Sequence, residues 1–326
     1  MKRRRYLQAV GAVGAVGIAG CSGGGGGDGD GGDEDGEDDP VDTADRGPAY
    51  HIDVAVGELN TAAIALADYQ ERFREGDDGD FEFDAERQGE RIGTARESLA
   101  AAEEGGPDQE QTARIEGLRA AANALQAASG AIGELRGASD ELETVDPAVR
   151  DRNFSTARRR LSAPADRVSS VDQSVSSTRG SIEQLDAERM NATNLRFSEL
   201  RDGVRELDAL VGSFDTLLTG YDAMIAAGET LQEGRTQFDA REYQSARESL
   251  AEADRQVGDA RSAFQAGRSD APERLQGRFD TALCQSGRLS RAIDLFDDAA
   301  RTALRGDDPS AERSEALAAL RSIQNC

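Results

Sequence analysis

Hydrophobic residues recur every three or four positions from about residue 50 to the C-terminus, and no stretch alternates apolar and polar residues with a period of two. This spacing puts apolar side chains on one face of an α-helix. Prolines that follow a capping residue, as in Asp146-Pro147 and Asp308-Pro309, indicate helix starts. The pattern predicts an all-α fold of antiparallel helical hairpins or a bundle. The predicted helices lie near residues 52–75, 84–104, 108–143, 147–190, 195–238, 242–266, 272–305 and 309–324.

Two of the predicted helices carry the hydrophobic spacing of a coiled coil. The first seam consists of Val168, Val171, Val175, Thr178, Ile182 and Leu185. The second consists of Leu200, Val204, Leu207, Val211, Phe214, Leu218, Tyr221 and Ile225. Apolar residues that repeat about every 3.5 positions form a narrow seam that must face another helix. We therefore predict antiparallel partners joined by a turn at residues 191–194, with a single uninterrupted helix as the alternative.

A six-residue segment occurs twice, at residues 95–100 and 246–251, and Phe-Asp-Ala precedes each copy. The shared order of these segments indicates an internal duplication with units near residues 59–145 and 207–306. Repeats of this kind are typical of stacked helical hairpins that bury each other's faces.

The second copy resembles a tetratricopeptide repeat at Gly234, Tyr243, Ala246, Leu250 and Ala253. The resemblance covers about 34 residues. It departs from the family pattern at the first-helix tryptophan and at the terminal proline. The resemblance implies two helices that approach closely over alanines, and it concerns architecture alone.

The first 21 residues have the features of an export signal. A cationic start precedes an apolar stretch of only 12 residues, whereas a membrane-spanning helix needs about 20. The pair Arg3-Arg4, followed by Tyr6 and Leu7, resembles a twin-arginine export signal. This resemblance implies that the segment preceding Cys21 is removed on export.

Residues 18–21, Ile-Ala-Gly-Cys, resemble the lipobox of bacterial and archaeal lipoproteins. The resemblance implies a lipid on Cys21 and a mature protein anchored to the outer face of the cytoplasmic membrane. Residues 22–48 contain a five-glycine run and ten acidic residues, a composition that predicts a disordered tether. As a flexible coil, such a tether spans roughly 30 Å. The remaining residues, 49–326, are predicted to form one elongated helical domain.

The formal net charge is −25, and 34 basic against 63 acidic residues leave −29 once the signal is removed. Lys2 is the only lysine. This composition resembles that of secreted proteins from halophilic archaea, which implies a domain that needs molar salt to screen its self-repulsion. No stretch of the mature chain forms a basic stripe, so we expect no nucleic-acid partner.

The residues that carry common enzyme chemistry are missing or isolated. Without a lysine after Lys2, Schiff-base chemistry and a phosphate-binding loop of the Walker type are excluded from the mature chain. His51 is the single histidine. The acidic run from Asp78 to Asp84 lacks the glycine and glutamate of an EF-hand loop. We therefore expect no enzyme activity, no cofactor and no metal site.

Two cysteines remain after lipidation, and an even pair in an exported protein predicts a disulfide. Cys284 precedes the turn at residues 306–308 by 22 residues and Cys326 follows it by 18. If the last two predicted helices form an antiparallel hairpin around this turn, the two cysteines lie at nearly equal distances from it. A bond between them requires this arrangement. Asn153 and Asn191 head acceptor sequons for N-glycosylation.

Together these features predict a lipid-anchored, non-enzymatic helical interaction or scaffold protein on the cell surface. Its expected partners are the membrane, through the lipid, and another protein or a cell-surface component. One alternative is a helical ligand- or metal-capturing receptor associated with a transporter. A hydrolase with a carboxylate pair is less favoured, because the chain has no tryptophan and only 5% aromatic residues with which to hold a sugar.

Overall fold

The structure is a computed structural model that describes residues 47–75, 84–183, 195 and 197–326. Within these residues the chain is helical and contains no β-strand, which confirms the all-α fold. All of them belong to one compact unit. The helices are α1 (Pro48–Glu75), α2 (Ala85–Glu104), α3 (Gln109–Leu142), α4 (Val145–Arg150), α5 (Phe154–Glu183), α6 (Phe197–Asp239), α7 (Tyr243–Asp270), α8 (Glu273–Leu304) and α9 (Ser310–Arg321), followed by the 3-10 helix Ser322–Asn325.

Several predicted features lie outside the described residues and stay predictions. These are the export motif at Arg3, Arg4, Tyr6 and Leu7, the lipid site at Cys21, most of the tether, the acidic residues Asp78, Asp80 and Glu82, and residues 191–194 with the sequon at Asn191. The predicted tether reaches residue 48, whereas α1 already begins at Pro48.

Helices α5 and α6 are antiparallel partners, as the two coiled-coil seams predict. Arg179, near the end of α5, contacts Asp208 near the start of α6 at 2.5 Å. Arg158, near the start of α5, contacts Glu229 in the second half of α6 at 2.9 Å. A single uninterrupted helix could not make both contacts. The seam residues of both helices within the described residues are buried.

The prediction of one helix over residues 147–190 is wrong, because the chain turns between α4 and α5. Arg152 adopts a positive φ of 59°, and the amide of Asn153 donates to the carbonyl of Ala148. This is the Schellman arrangement that ends many helices, although its left-handed position is usually a glycine. The side chain of Asn153 then caps α5 by accepting from the amide of Thr156 at 3.2 Å.

Helix α6 is about 65 Å long, at 1.5 Å per residue, and the second half of the domain is assembled around it. Two of its glycines face aromatic rings of neighbouring helices, Gly220 facing Phe264 on α7 and Gly228 facing Phe154 on α5. A Cβ atom built on Gly220 would lie 2.3 Å from the ring of Phe264, so the helices approach more closely than a side chain would allow. Phe264 is fully buried and meets Tyr221 and Phe279 edge to face, with ring centroids 5.6 and 6.5 Å away.

The two copies of the repeated segment occupy comparable positions in the fold. In α2 the residues Ala95, Leu99 and Ala102 are fully buried, and in α7 their counterparts Ala246, Leu250 and Ala253 are buried to the same extent. Both segments therefore use the same helix face for packing. The duplication and the likeness to tetratricopeptide repeats stay predictions.

Candidate functional site

The candidate site is a groove between α5 and α6, with a cavity of about 510 Å³. Its floor is formed by the buried residues Leu161 of α5 and Leu218 of α6. Its walls carry mostly small side chains. They are Ser162, Ala165 and Ser169 from α5, and Thr219 and Ala223 from α6. Serine, threonine and alanine side chains end close to the helix backbone, so they leave open the space that longer residues would fill.

The charged residues beside the seams follow heptad spacing. On α6 an acidic residue occurs every seven positions, at Asp208, Asp215, Asp222 and Glu229. On α5 the corresponding series is Arg158, Ala165, Asp172 and Arg179. The two arginines lie at the ends of this series, so they can pair with the ends of the acidic row. Such charged residues beside a coiled-coil seam commonly pair between helices.

The arginine at the end of the groove is held by two carboxylates. The guanidinium of Arg158 donates to Glu229 at 3.0 Å and to Asp222 at 2.9 Å. The hydrogen bond to Glu229 is the main cause that raises the pKa of Arg158 above its usual value, and Asp222 adds to it. The positive charge of Arg158 is therefore already balanced within the chain.

Asp215 has no ion pair or hydrogen bond within the described part of the chain, and its side chain lines the groove. Ala165 and Asp172 occupy the middle of the α5 series, where an arginine would complete the row. The groove therefore combines an apolar floor, several hydroxyl groups and an unpaired carboxylate. This combination suits a ligand or a partner side chain that carries a positive charge.

The predicted disulfide is present between Cys284 on α8 and Cys326 at the C-terminus. The two Cα atoms lie 5.8 Å apart, and the bond closes a loop with a sequence separation of 42. It holds the 3-10 helix and the end of α9 against α8, as the nearly equal arms of this hairpin predict.

The other residues singled out in the sequence lie apart from the groove. The exposed Asn153 caps α5, so its sequon is at a helix start, and its use in glycosylation stays a prediction. His51 meets Tyr50 edge to face at 5.4 Å on α1. Across the described residues, no group of three or more His, Cys, Asp or Glu side chains is placed to hold a metal ion. The same residues include no helix that is long and apolar enough to cross a membrane.

A buried polar pair between α6 and α4 was not predicted from the sequence. The hydroxyl of Tyr221 on α6 donates to Asp146 on α4 at 2.5 Å. Burial raises the pKa of Tyr221 well above its usual value, and the charge of Asp146 adds to the rise. The partners are 75 residues apart, so no local spacing could have paired them. One wall of the groove, in contrast, could be recognised in the sequence, because the acidic residues of α6 recur with heptad spacing.

No protein-family model, curated protein or solved structure matches this chain.

Proposed function

We propose that this protein is a lipid-anchored, non-enzymatic helical interaction protein of the cell surface, and that the α5–α6 groove receives a positively charged side chain of its partner. The observation that carries the proposal is the unpaired, exposed Asp215 at the wall of a groove lined mostly by small side chains. The proposed location is supported by the sequence alone, through the twin-arginine pair and the lipobox that ends at Cys21.

The recognition step follows from the two heptad series. Each terminal arginine of α5 already neutralises carboxylates of α6, at Asp208 and at Asp222 with Glu229. Between them the acidic row continues through Asp215 without a partner on α5. A guanidinium or ammonium group supplied from outside completes the row, while its aliphatic stem packs on the floor of the groove.

High salt weakens long-range electrostatic attraction to the partner more than it weakens direct contacts in the groove. At molar ionic strength the Debye length is about 3 Å, so long-range attraction to an acidic surface is screened. A direct contact between the exposed Asp215 and a cation of the partner spans only about one such length, and the apolar floor contributes independently of charge. The groove therefore provides local contacts that still act where general electrostatic attraction is weak.

The groove can be tested by site-specific photo-crosslinking in membranes that carry the full chain. A photoreactive residue in place of Thr219 is expected to capture one dominant partner in molar salt. Asp215→Arg should abolish this product, because it places a like charge where the partner's cation binds. Asp259→Arg, an equal charge change on the exposed face of α7, should leave it unchanged. A product that survives Asp215→Arg would overturn the groove as the binding surface.

The location is tested separately from the groove. Replacing Arg3 and Arg4 together by lysine should leave precursor in the cytoplasm, because the export receptor recognises the guanidinium pair. Cys21→Ser should prevent lipidation and release the mature protein from the membrane. Membrane retention of a processed form in both variants would contradict the proposed anchoring.

A second candidate function, capture of a small cationic ligand, is favoured by the size of the same cavity. Its volume of about 510 Å³ falls in the range of roughly 300–1,000 Å³ that is usual for small-molecule sites. Spermidine is a suitable probe, because its ammonium groups can pair with Asp215 while its methylene chain covers the floor. Saturable binding in molar salt that is lost in Asp215→Asn would favour the receptor over the interaction protein.

A further inference from the structure

Arg158 shows how this chain binds a guanidinium group between two helices. It extends from α5 and donates to Asp222 and Glu229 of α6, at 2.9 and 3.0 Å. These two acids are seven residues apart, so they lie on one face of α6, about 10.5 Å from each other along the helix axis. A planar guanidinium group with N–H donors on several edges reaches both carboxylates at once.

A second arginine of α5 is bound in the same manner, on the side that faces α3. Arg167 donates through Nε to Glu141 at 3.0 Å and through another nitrogen to Glu134. These two acids are also seven residues apart on one helix. A guanidinium group between two acids with heptad spacing is therefore a contact that this chain forms more than once.

One heptad further along α5, the same arrangement lacks its arginine. Ala165 follows Arg158 by seven residues. On the antiparallel α6, the matching step of seven residues leads from Asp222 and Glu229 back to Asp215 and Asp222. Ala165 and the last two acids line the groove. The cavity therefore lies where an arginine side chain at residue 165 would extend.

The acids of the groove outnumber its cations. Asp222 uses its Oδ1 atom for Arg158, which leaves its second oxygen for another donor. Asp215 has no partner among the residues that the structure describes. The next heptad position of α5 is Asp172, so it adds a negative charge where a cation would complete the row. A second guanidinium group is the group that this arrangement of charges can accept.

We propose that the residue which enters the groove is an arginine, and that its guanidinium group bridges Asp215 and Asp222 in the manner of Arg158. This inference rests on the proposed function and narrows the partner to a protein segment that presents an exposed arginine. The aliphatic stem of the arginine covers the apolar floor. A lysine ammonium group is a compact point charge and lacks the planar fork that serves two carboxylates.

Placing an arginine in the groove from within the chain tests the site without a partner. Ala165→Arg should pair with Asp215 and Asp222 and raise the urea midpoint, measured at the lowest salt that keeps the parent protein folded. Ala165→Gln is the matched control, because it has a long polar side chain without charge at the same position. Ala165→Lys should give an intermediate midpoint. A midpoint no higher for Ala165→Arg than for Ala165→Gln would overturn the guanidinium site.

Double-mutant cycles show which carboxylates bind the new arginine. Asp215→Asn and Asp222→Asn should each remove about half or more of the rise caused by Ala165→Arg, and should leave the effect of Ala165→Gln unchanged. The cycle subtracts the separate effect that Asp222→Asn has on Arg158. A rise that survives both replacements would contradict the proposed bridge.

Competition in the crosslinking experiment identifies the partner's residue. L-Argininamide and L-lysinamide carry the same number of charges and differ in the side-chain cation, so they are matched competitors for the product captured at Thr219. Argininamide should suppress this product at about one third of the concentration that lysinamide requires, because only the guanidinium group pairs with a second carboxylate. Asp222→Asn should abolish the difference between the two competitors.

The choice of arginine and the proposed function fail in different ways. Equal suppression by both competitors, with the product still lost in Asp215→Arg, would refute arginine and leave the groove as the binding surface. A product that survives Asp215→Arg would refute the groove as the partner's binding surface, and with it the arginine that the partner is proposed to supply.

Discussion

Replacing Gly220 by alanine is expected to destabilise the protein, although alanine is normally the better helix former. Gly220 lies in the interior of α6, where the propensity of alanine alone would add about 1 kcal/mol to the free energy of unfolding. The new Cβ atom, however, would lie 2.3 Å from the ring of Phe264. The usual distance between two carbon atoms in contact is about 3.5–4.0 Å.

The ring has little room to move away. Phe264 is fully buried and is flanked by Tyr221 and Phe279 at centroid distances of 5.6 and 6.5 Å. Overpacking a core typically costs about 1–3 kcal/mol, and a confined ring places this substitution in the upper half of that range. After subtraction of the gain in helix propensity, we expect a net loss of about 1–2 kcal/mol.

Gly258→Ala is the matched control, because Gly258 lies in the interior of α7 and its Cβ position is open. This variant should gain about 1 kcal/mol. Urea unfolding at fixed molar salt, followed by the helical circular dichroism signal, measures both changes from the shift of the midpoint. If Gly220→Ala proved as stable as Gly258→Ala, the close approach of α6 and α7 would be refuted. Phe264→Leu should partly rescue Gly220→Ala, with a non-additive coupling in a double-mutant cycle.

The further predictions concern the C-terminus, the buried tyrosine and two helix ends. Replacing Cys284 and Cys326 by alanine should lower the free energy of unfolding by up to about 4 kcal/mol in the chain-entropy model, and reductant should then no longer change the urea midpoint. The raised pKa of Tyr221 implies stability that is fully present below the unfolded tyrosine pKa of about 10 and is lost as pH rises toward the folded value. Tyr221→Phe should flatten this alkaline loss in urea titrations between pH 9 and 11, a range of about one pH unit on either side of that pKa. Arg241, which has a positive φ of 66°, should tolerate glycine with a gain of about 0.5–1 kcal/mol, whereas Gly306→Ala at φ 86° should lose a similar amount of thermal stability.

The sequence by itself determined the fold class and most helix ends, and it favoured the pairing of α5 with α6 over one uninterrupted helix. These features depend on interactions within one or two turns of a helix, which the chain encodes locally. Asp108, for example, forms a capping box with Gln111 at the start of α3, and the heptad seams require a facing helix wherever they occur. The disulfide was also predictable, because an even pair of cysteines and two nearly equal arms define one hairpin.

The tertiary structure alone decided which residues meet across the domain. The break at Arg152 had no sequence signal, since arginine is not the usual residue at a left-handed helix end. The bond between Tyr221 and Asp146 joins helices 75 residues apart. The acidic row of α6 could be read from the sequence, but only the packing of α5 shows that Asp215 is left without a cation. Long-range contacts depend on how whole helices are placed, and a helical period specifies a face without specifying what that face will meet.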